Sequence, residues 1–244
     1  MRAVHRISRV CLIWVLLALT PLVTHATDFD RLTVISYHEI EEPSRALIPG
    51  YAVSPTMFVR HIDWLRNNGF VFVSVDQVLS AKSGGVPLPP KAVLLTFDDG
   101  YTSVYQHAWP LLKMLKIPSV ISVVTSWQES AGYVDYDGKP VPRDRFLSWE
   151  ALREMHSTGL VEIASHTHDL HHGLKANPQG SAQPAATARG FDQLRGYEAE
   201  TDYLKRIDAD LRLSRDLIRK RTGSAPRIVT WPYGKYNEMV ESTA

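Results

Sequence analysis

Two stretches of the chain hold side chains that could share a chemical task. The first is Thr96-Phe97-Asp98-Asp99-Gly100, two adjacent carboxylates and a glycine at the end of an apolar run. An uninterrupted apolar run of this length reads as a buried β-strand, and the glycine permits a tight turn directly after the acids. Acids at the C-terminal edge of a parallel strand face the side on which α/β barrels assemble their sites. There one carboxylate can hold a metal while its neighbour takes a proton. Taken alone, the triplet also fits a turn with two solvated aspartates. The second stretch is Ser165-His166-Thr167-His168-Asp169-Leu170-His171-His172, four histidines within seven residues after another apolar run. Imidazole nitrogens combined with a carboxylate suit Zn, Ni, Co or Fe and leave coordination positions open. On a helix His166 and His171 would point about 140° apart, so a strand end followed by a turn must bring them together. A solvated histidine-rich loop is the alternative for this stretch by itself.

A third block, Thr230-Trp231-Pro232-Tyr233-Gly234-Lys235-Tyr236-Asn237, and the opening Ser36-Tyr37-His38-Glu39-Ile40 complete a pattern. T-F-D-D-G, S-H-T-x-D-L-H and W-P-Y-G-x-Y-N, in this order, resemble the polysaccharide deacetylases of the NodB-homology group, carbohydrate esterase family 4. The five-residue histidine spacing and the S-Y-H-E-I opening are most similar to poly-β-1,6-N-acetylglucosamine N-deacetylases of the PgaB type. The resemblance runs from about residue 32 to residue 244. It implies that Asp99, His166 and His171 hold a divalent metal and that Asp98 is the general base. The backbone N–H of Tyr233 would meet the oxyanion. His38 would protonate the leaving amine, supplied here by the first strand rather than by the late histidine motif of the wider family. Trp231 stands where many members carry an arginine that orients the base. His168 and His172 are left as supporting or solvent residues, and Asp169 as a turn former.

The elements that must position these groups alternate regularly. Strands are expected at residues 32–37, 70–75, 92–97, 119–124, 160–164 and 227–230, and helices at 55–68, 105–116, 149–158 and 198–221, with a short one after residue 75. Strand–helix alternation implies a parallel α/β sheet covered by helices. The resemblance makes that sheet a (β/α) barrel of the NodB-homology type, distorted and, with the chain ending at Ala244 after a sixth strand, incomplete. Residues 126–147 read as a loop carrying aromatic and charged side chains. Residues 173–196 read as a mobile surface loop, being rich in Gly, Ala, Pro and Gln. Trp127, Tyr133 and Tyr136 are candidate sugar platforms, and Trp231 a further one. The charges of residues 198–221 read as a solvated helical face.

With 244 residues and 44% hydrophobic content the chain can bury the core of one large domain. A formal charge of +1 argues against a nucleic-acid partner. Residues 1–26 have the form of a secretory signal: Arg2, Arg6 and Arg9, an apolar run at 10–19, then Thr24-His25-Ala26 before a cleavage point. The deacetylase domain is then residues 27–244. Cys11, the one cysteine, lies within the signal, so the mature chain carries no disulfide-linked partner and no lipid-acceptor cysteine, which fits a periplasmic protein. The resemblance implies an N-acetylglucosamine polysaccharide as substrate and a role in exporting biofilm exopolysaccharide through outer-membrane machinery. The same chemistry on chitin oligomers or peptidoglycan is the enzyme alternative, and a non-catalytic glycan-binding fragment the alternative of another class.

Overall fold

The computed structural model describes residues 31–243. The expected signal segment, with Cys11, lies outside the described residues. At the centre is a parallel sheet built from β1 (Thr33–Tyr37), β4 (Val71–Phe72), β5 (Ala92–Phe97), β6 (Ser119–Val123) and β9 (Val161–Ser165). Its order is β1-β5-β6-β9, with β4 pairing the first residues of β5. Every residue of β5 and β6 is buried, as two-sided coverage by helices requires. β1 runs beside β5 in parallel register, Tyr37 opposite Phe97, so the two strands end together. Their following residues, His38 and Asp98, are therefore neighbours on one rim. A short parallel pair, β2 (Glu39–Ile40) with β3 (Ala52–Val53), continues from that rim.

The helices follow from local signals. Ser54 caps α1 (Pro55–Asn67), which buries Phe58, Ile62 and Leu65 against the sheet. The expected strand at 70–75 is cut to β4 because Ser74 opens α2 (Val75–Lys82). Its Oγ accepts from the Gln77 N–H at 3.3 Å while its own N–H donates to Gln77 Oε1 at 2.9 Å. The helix expected at 105–116 forms as a π turn, Val104–Ala108, leading into α3 (Trp109–Leu115). Pro110 cannot donate to the α-ladder, which explains the slack turn before it. Ser148 caps α5 (Trp149–Ser157).

Two expected loops are structured. Residues 126–147 contain α4 (Thr125–Glu129) and an antiparallel hairpin, β7 (Tyr133–Tyr136) with β8 (Lys139–Pro142). Asp137 and Gly138, both at positive φ, make its two-residue turn. Residues 173–196 carry two small antiparallel pairs, β10 (Gly173–Lys175) with β11 (Ala182–Pro184) and β12 (Phe191–Asp192) with β13 (Gly196–Tyr197). Their anchor is a pair of small apolar residues: Ala185 and Ala186 are wholly buried, and the Tyr203 hydroxyl donates to Ala186 O at 2.7 Å. Tyr203 belongs to α6 (Glu200–Thr222), which packs Ile207, Leu211, Ser214 and Ile218 inward and keeps its charges in solvent. Acids in its first turn and bases in its last complement the helix dipole. The sixth strand at 227–230 reduces to one parallel bridge, Val229 beside Ser165. A last short helix, α7 (Glu238–Glu241), is capped by Asn237. No helix among the described residues is long and apolar enough to cross a membrane.

Candidate metal centre

Asp98 and Asp99 leave β5 in opposite ways. The Asp98 N–H still belongs to the sheet, donating to Tyr37 O at 2.8 Å. Asp99 then turns into the left-handed region with φ 67°, followed by Gly100 at φ 70°. Glycine is required at 100 twice over, because a Cβ there would meet Val123 Cγ1 at 2.9 Å. The result is two neighbouring carboxylates, both buried, that face different partners.

His166 and His171 come from the turn after β9. The His166 N–H donates to Val123 O at 2.9 Å, which extends the β6–β9 ladder to the site. Thr167 reverses the chain at φ 73°, its N–H donating to Ser165 Oγ at 3.0 Å and its Oγ1 accepting from the Leu170 N–H at 3.1 Å. From outside, Asp210 of α6 accepts from the His168 and Asp169 N–H groups, each at 2.7 Å. Burial lifts the Asp210 carboxyl above the usual range, while these two donors pull it back.

These turns bring Asp99, His166 and His171 together, with one ligand atom of each within 4.8 Å of the others. Asp99 Oδ1 lies 3.3 Å from His166 Nε2 and 3.2 Å from His171 Nε2, yet it is buried without a hydrogen-bond partner. For His166 the reason is clear. Its Nδ1 lies 2.7 Å from Thr230 O, an acceptor, so Nδ1 carries the proton and a neutral ring turns its Nε2 lone pair toward Asp99. Lone pairs pointed at one another in a dry site call for a shared cation, and two imidazoles with a carboxylate suit a divalent transition metal. The Asp99 carboxylate makes this a place that favours positive charge, whether carried by an ion or by a proton. Burial alone raises the Asp99 carboxyl, but the two imidazoles outweigh it and hold the group far below the carboxylate range. Burial lowers the His166 imidazole, and Asp99 more than reverses that.

Asp98 is held by Ser36 on β1, whose Oγ donates to Oδ2 at 2.8 Å. Its Oδ1 is buried and unpaired. His38 lies at the same rim, half-buried, its ring stacked on Tyr51 at 5.3 Å between centroids. Tyr233 sits at the opposite wall in a turn with φ 58°, its ring 4.6 Å from that of His171 and its hydroxyl donating to Asp137 Oδ1 at 2.9 Å. A cleft of about 830 Å³ opens on the Tyr233 side, bordered by Trp127, His171 and Tyr233 together with the tip of the β7–β8 hairpin.

The four expected sugar platforms separate. Trp127 is buried but borders the cleft and packs on His171, with centroids 4.9 Å apart. Tyr136 is also buried and acts as a support, its hydroxyl 3.5 Å from Asp99 Oδ2 and joined to that of Tyr101. Burial pushes the Tyr136 hydroxyl up, so it stays a donor. Tyr133 is exposed and stands at the other end of the hairpin, away from the ligands. Trp231 is half-buried and packs into the cluster of Leu170, Ala185, Tyr203 and Val240, because the Pro232 turn points it at α6 rather than into the cleft. Of the remaining residues, His168 Nδ1 pairs with Thr125 Oγ1 at 2.9 Å, Asp169 accepts from Ser126 Oγ at 3.2 Å and His172 is exposed at the cleft edge. Ser36 and Asp210 are the supports that sequence reasoning passed over. Ser36 had a signal, since it lies two residues before His38 in the S-Y-H-E-I opening; Asp210 had none.

The chain belongs to the polysaccharide deacetylase family, which it matches over residues 85–244. It is 37% identical over 212 residues to a poly-beta-1,6-N-acetyl-D-glucosamine N-deacetylase of Escherichia coli (strain K12), an alignment covering 85% of this chain and 31% of the relative. This chain thus spans under a third of that protein's length. Among solved structures, a de-N-acetylase from Aggregatibacter actinomycetemcomitans superposes with a TM-score of 0.81 at 37% identity, covering 87% of this chain and 83% of that one. The BpsB deacetylase domain from Bordetella bronchiseptica gives 0.77 at 40% identity, with the same coverage. The α/β fold described above is that of the NodB-type deacetylases.

Proposed function

We propose that this chain carries the N-deacetylase site of an enzyme that removes acetyl groups from poly-β-1,6-N-acetylglucosamine. The observation that carries the reading is the convergence of Asp99, His166 and His171 on one point beside a second, separately held carboxylate. The relatives' printed substrate supports the choice of polymer. A divalent ion held by Asp99, His166 and His171 would supply Lewis acidity to the acetamide carbonyl and to the attacking water. Asp98 takes the proton of that water on Oδ1, the oxygen that Ser36 leaves free. The Tyr233 N–H, set by its left-handed turn, donates to the developing oxyanion, an interaction typically worth about 3 kcal/mol. His38, beside Asp98 on the β1–β5 rim, returns a proton to the leaving amine. Acetate and a free glucosamine amine are the products. The arginine-rich, apolar start of the sequence supports export to the periplasm, where such a polymer would be processed on its way through outer-membrane export machinery.

The test is acetate release from β-1,6-N-acetylglucosamine oligomers by the purified protein loaded with Zn, Ni or Co, with a chelator control and β-1,4 oligomers in parallel. Metal-dependent release on the β-1,6 series is expected. Equal or greater release from the β-1,4 series would move the substrate to chitin or peptidoglycan. No release from folded, metal-loaded protein would leave a glycan-binding fragment.

A further inference from the structure

Asp98 is oriented by Ser36 and His166 by Thr230 O, but the His38 ring makes no hydrogen bond among the described residues. Its one ring contact there is Tyr51, at 5.3 Å between centroids with the two planes 23° apart. An offset stack of this kind fixes the plane of an imidazole while leaving both ring nitrogens free for proton transfer.

Strand register builds the stack. β2 runs parallel to β3 with Glu39 opposite Ala52, so the residues just before them, His38 and Tyr51, lie side by side. The loop between the two strands, residues 41–51, is closed by Glu39. That carboxylate is 2% exposed and accepts from the Leu47 N–H at 2.6 Å and from the Arg145 guanidinium at 2.5 Å. Arg145 also donates to Arg45 O at 3.2 Å, and the Tyr51 N–H donates to Ile48 O at 3.0 Å. Leu47 and Ile48 pack against the main core. The backbone of Tyr51 is thus fixed from several sides, whereas its side chain is 63% exposed and its hydroxyl makes no hydrogen bond among the described residues. Within the described residues, His38 is the only ring that Tyr51 meets.

We infer that Tyr51 is a positioning residue for the reaction: its ring holds the His38 imidazole in the plane from which a proton passes to the leaving amine, and the Glu39–Arg145 pair sets the station of Tyr51. This rests on the reading of His38 as the acid. As the C–N bond breaks, its electron pair stays on nitrogen, and that nitrogen takes the His38 proton. A leaving group that departs as a stable anion needs no such proton. Tyr51 therefore matters for amides and not for activated esters cleaved at the same centre.

The test compares Tyr51→Ala and Tyr51→Phe with the unmodified full chain on two substrates, a β-1,6-N-acetylglucosamine oligomer and 4-nitrophenyl acetate, with metal content measured throughout. For Tyr51→Ala the ratio of amide to ester kcat should fall about 10–100-fold, the size expected when a general acid is displaced but not removed. The oligomer KM and the metal content should not change, and Tyr51→Phe, which keeps the ring, should behave as the unmodified protein. An unchanged ratio overturns the inference, whether both rates fall together or neither falls. So does a rise in oligomer KM alone, which would make Tyr51 a sugar contact, and so does loss of the ratio in Tyr51→Phe. His38→Ala checks the reading beneath: it should lower the same ratio. If it does not, or if the unmodified protein releases no acetate from any oligomer, that reading falls separately, and ¹³C relaxation of the His38 ring then decides. Greater ring motion in Tyr51→Ala but not in Tyr51→Phe supports the positioning role, and equal motion overturns it.

Discussion

Asp210 contributes no atom to the metal centre, yet the structure gives it control over the centre. It holds the His168 and Asp169 N–H groups at 2.7 Å each, within the turn that separates the two histidine ligands. Replacing it by asparagine leaves one oxygen for one N–H and turns an NH₂ toward the other, so one charge-assisted bond is lost and a donor is left facing a donor. A hydrogen bond to a charged group contributes roughly 1.5–3 kcal/mol, toward the lower end here because the His168 N–H is only partly buried and the Asp169 N–H is open to water. Part of that loss appears as a looser turn. Supporting residues of this kind typically change metal affinity by about 10–100-fold. For Asp210→Asn we therefore expect a metal dissociation constant about 10–100-fold higher, measured by competition with a chromogenic chelator. The absorption bands of the Co-substituted protein should broaden as His171 loses its fixed position. The melting temperature should fall as well, by about 2–4 °C per kcal/mol for a chain of this size. Unchanged metal affinity with a lowered melting temperature would refute the reasoning, since Asp210 would then only tie a helix to a turn.

Two further outcomes follow from the same geometry. Asp98→Asn should abolish turnover while leaving metal content nearly intact, because the base is held by Ser36 and not by the ligand triad; loss of both together, read by acetate release and elemental analysis, would break the division of roles. Gly100→Ala should destabilise by at least about 1–2 kcal/mol from the left-handed backbone alone, with more from the 2.9 Å approach to Val123. In denaturant titrations Val123→Ala should cost less in that background than in the unmodified protein.

How much of this was legible in the sequence depended on distance along the chain. Asp98, Asp99 and His166 could be placed because each sits just after an apolar run, and strand ends share a rim in a parallel sheet. His171 followed from the turn its spacing demanded. What stayed hidden was held by remote partners. The Ser36–Asp98 bond and the Asp210 clamp join segments that no local pattern connects. Residues 126–147 read as loop because their aromatic and charged side chains masked an alternation that the Asp137-Gly138 pair could have announced. Residues 173–196 read as mobile because alanines, not large apolar residues, anchor them. Trp231 read as a platform because composition cannot tell which way a turn points its ring.

The metal triad joins the turn after β5 to the turn after β9, and those turns meet only when β6 has paired with both strands. Parallel pairing across such sequence separations is slow, since loop closure must precede the contacts that reward it. The histidine-rich segment, by contrast, can chelate an ion while the chain is still unfolded. A metal ion that binds this triad would therefore have opposite effects at different stages of folding: it would stabilise the finished fold, and before the sheet closes it would stabilise the unfolded chain against it. Efficient loading of such a site then calls for the sheet to come first and the ion last.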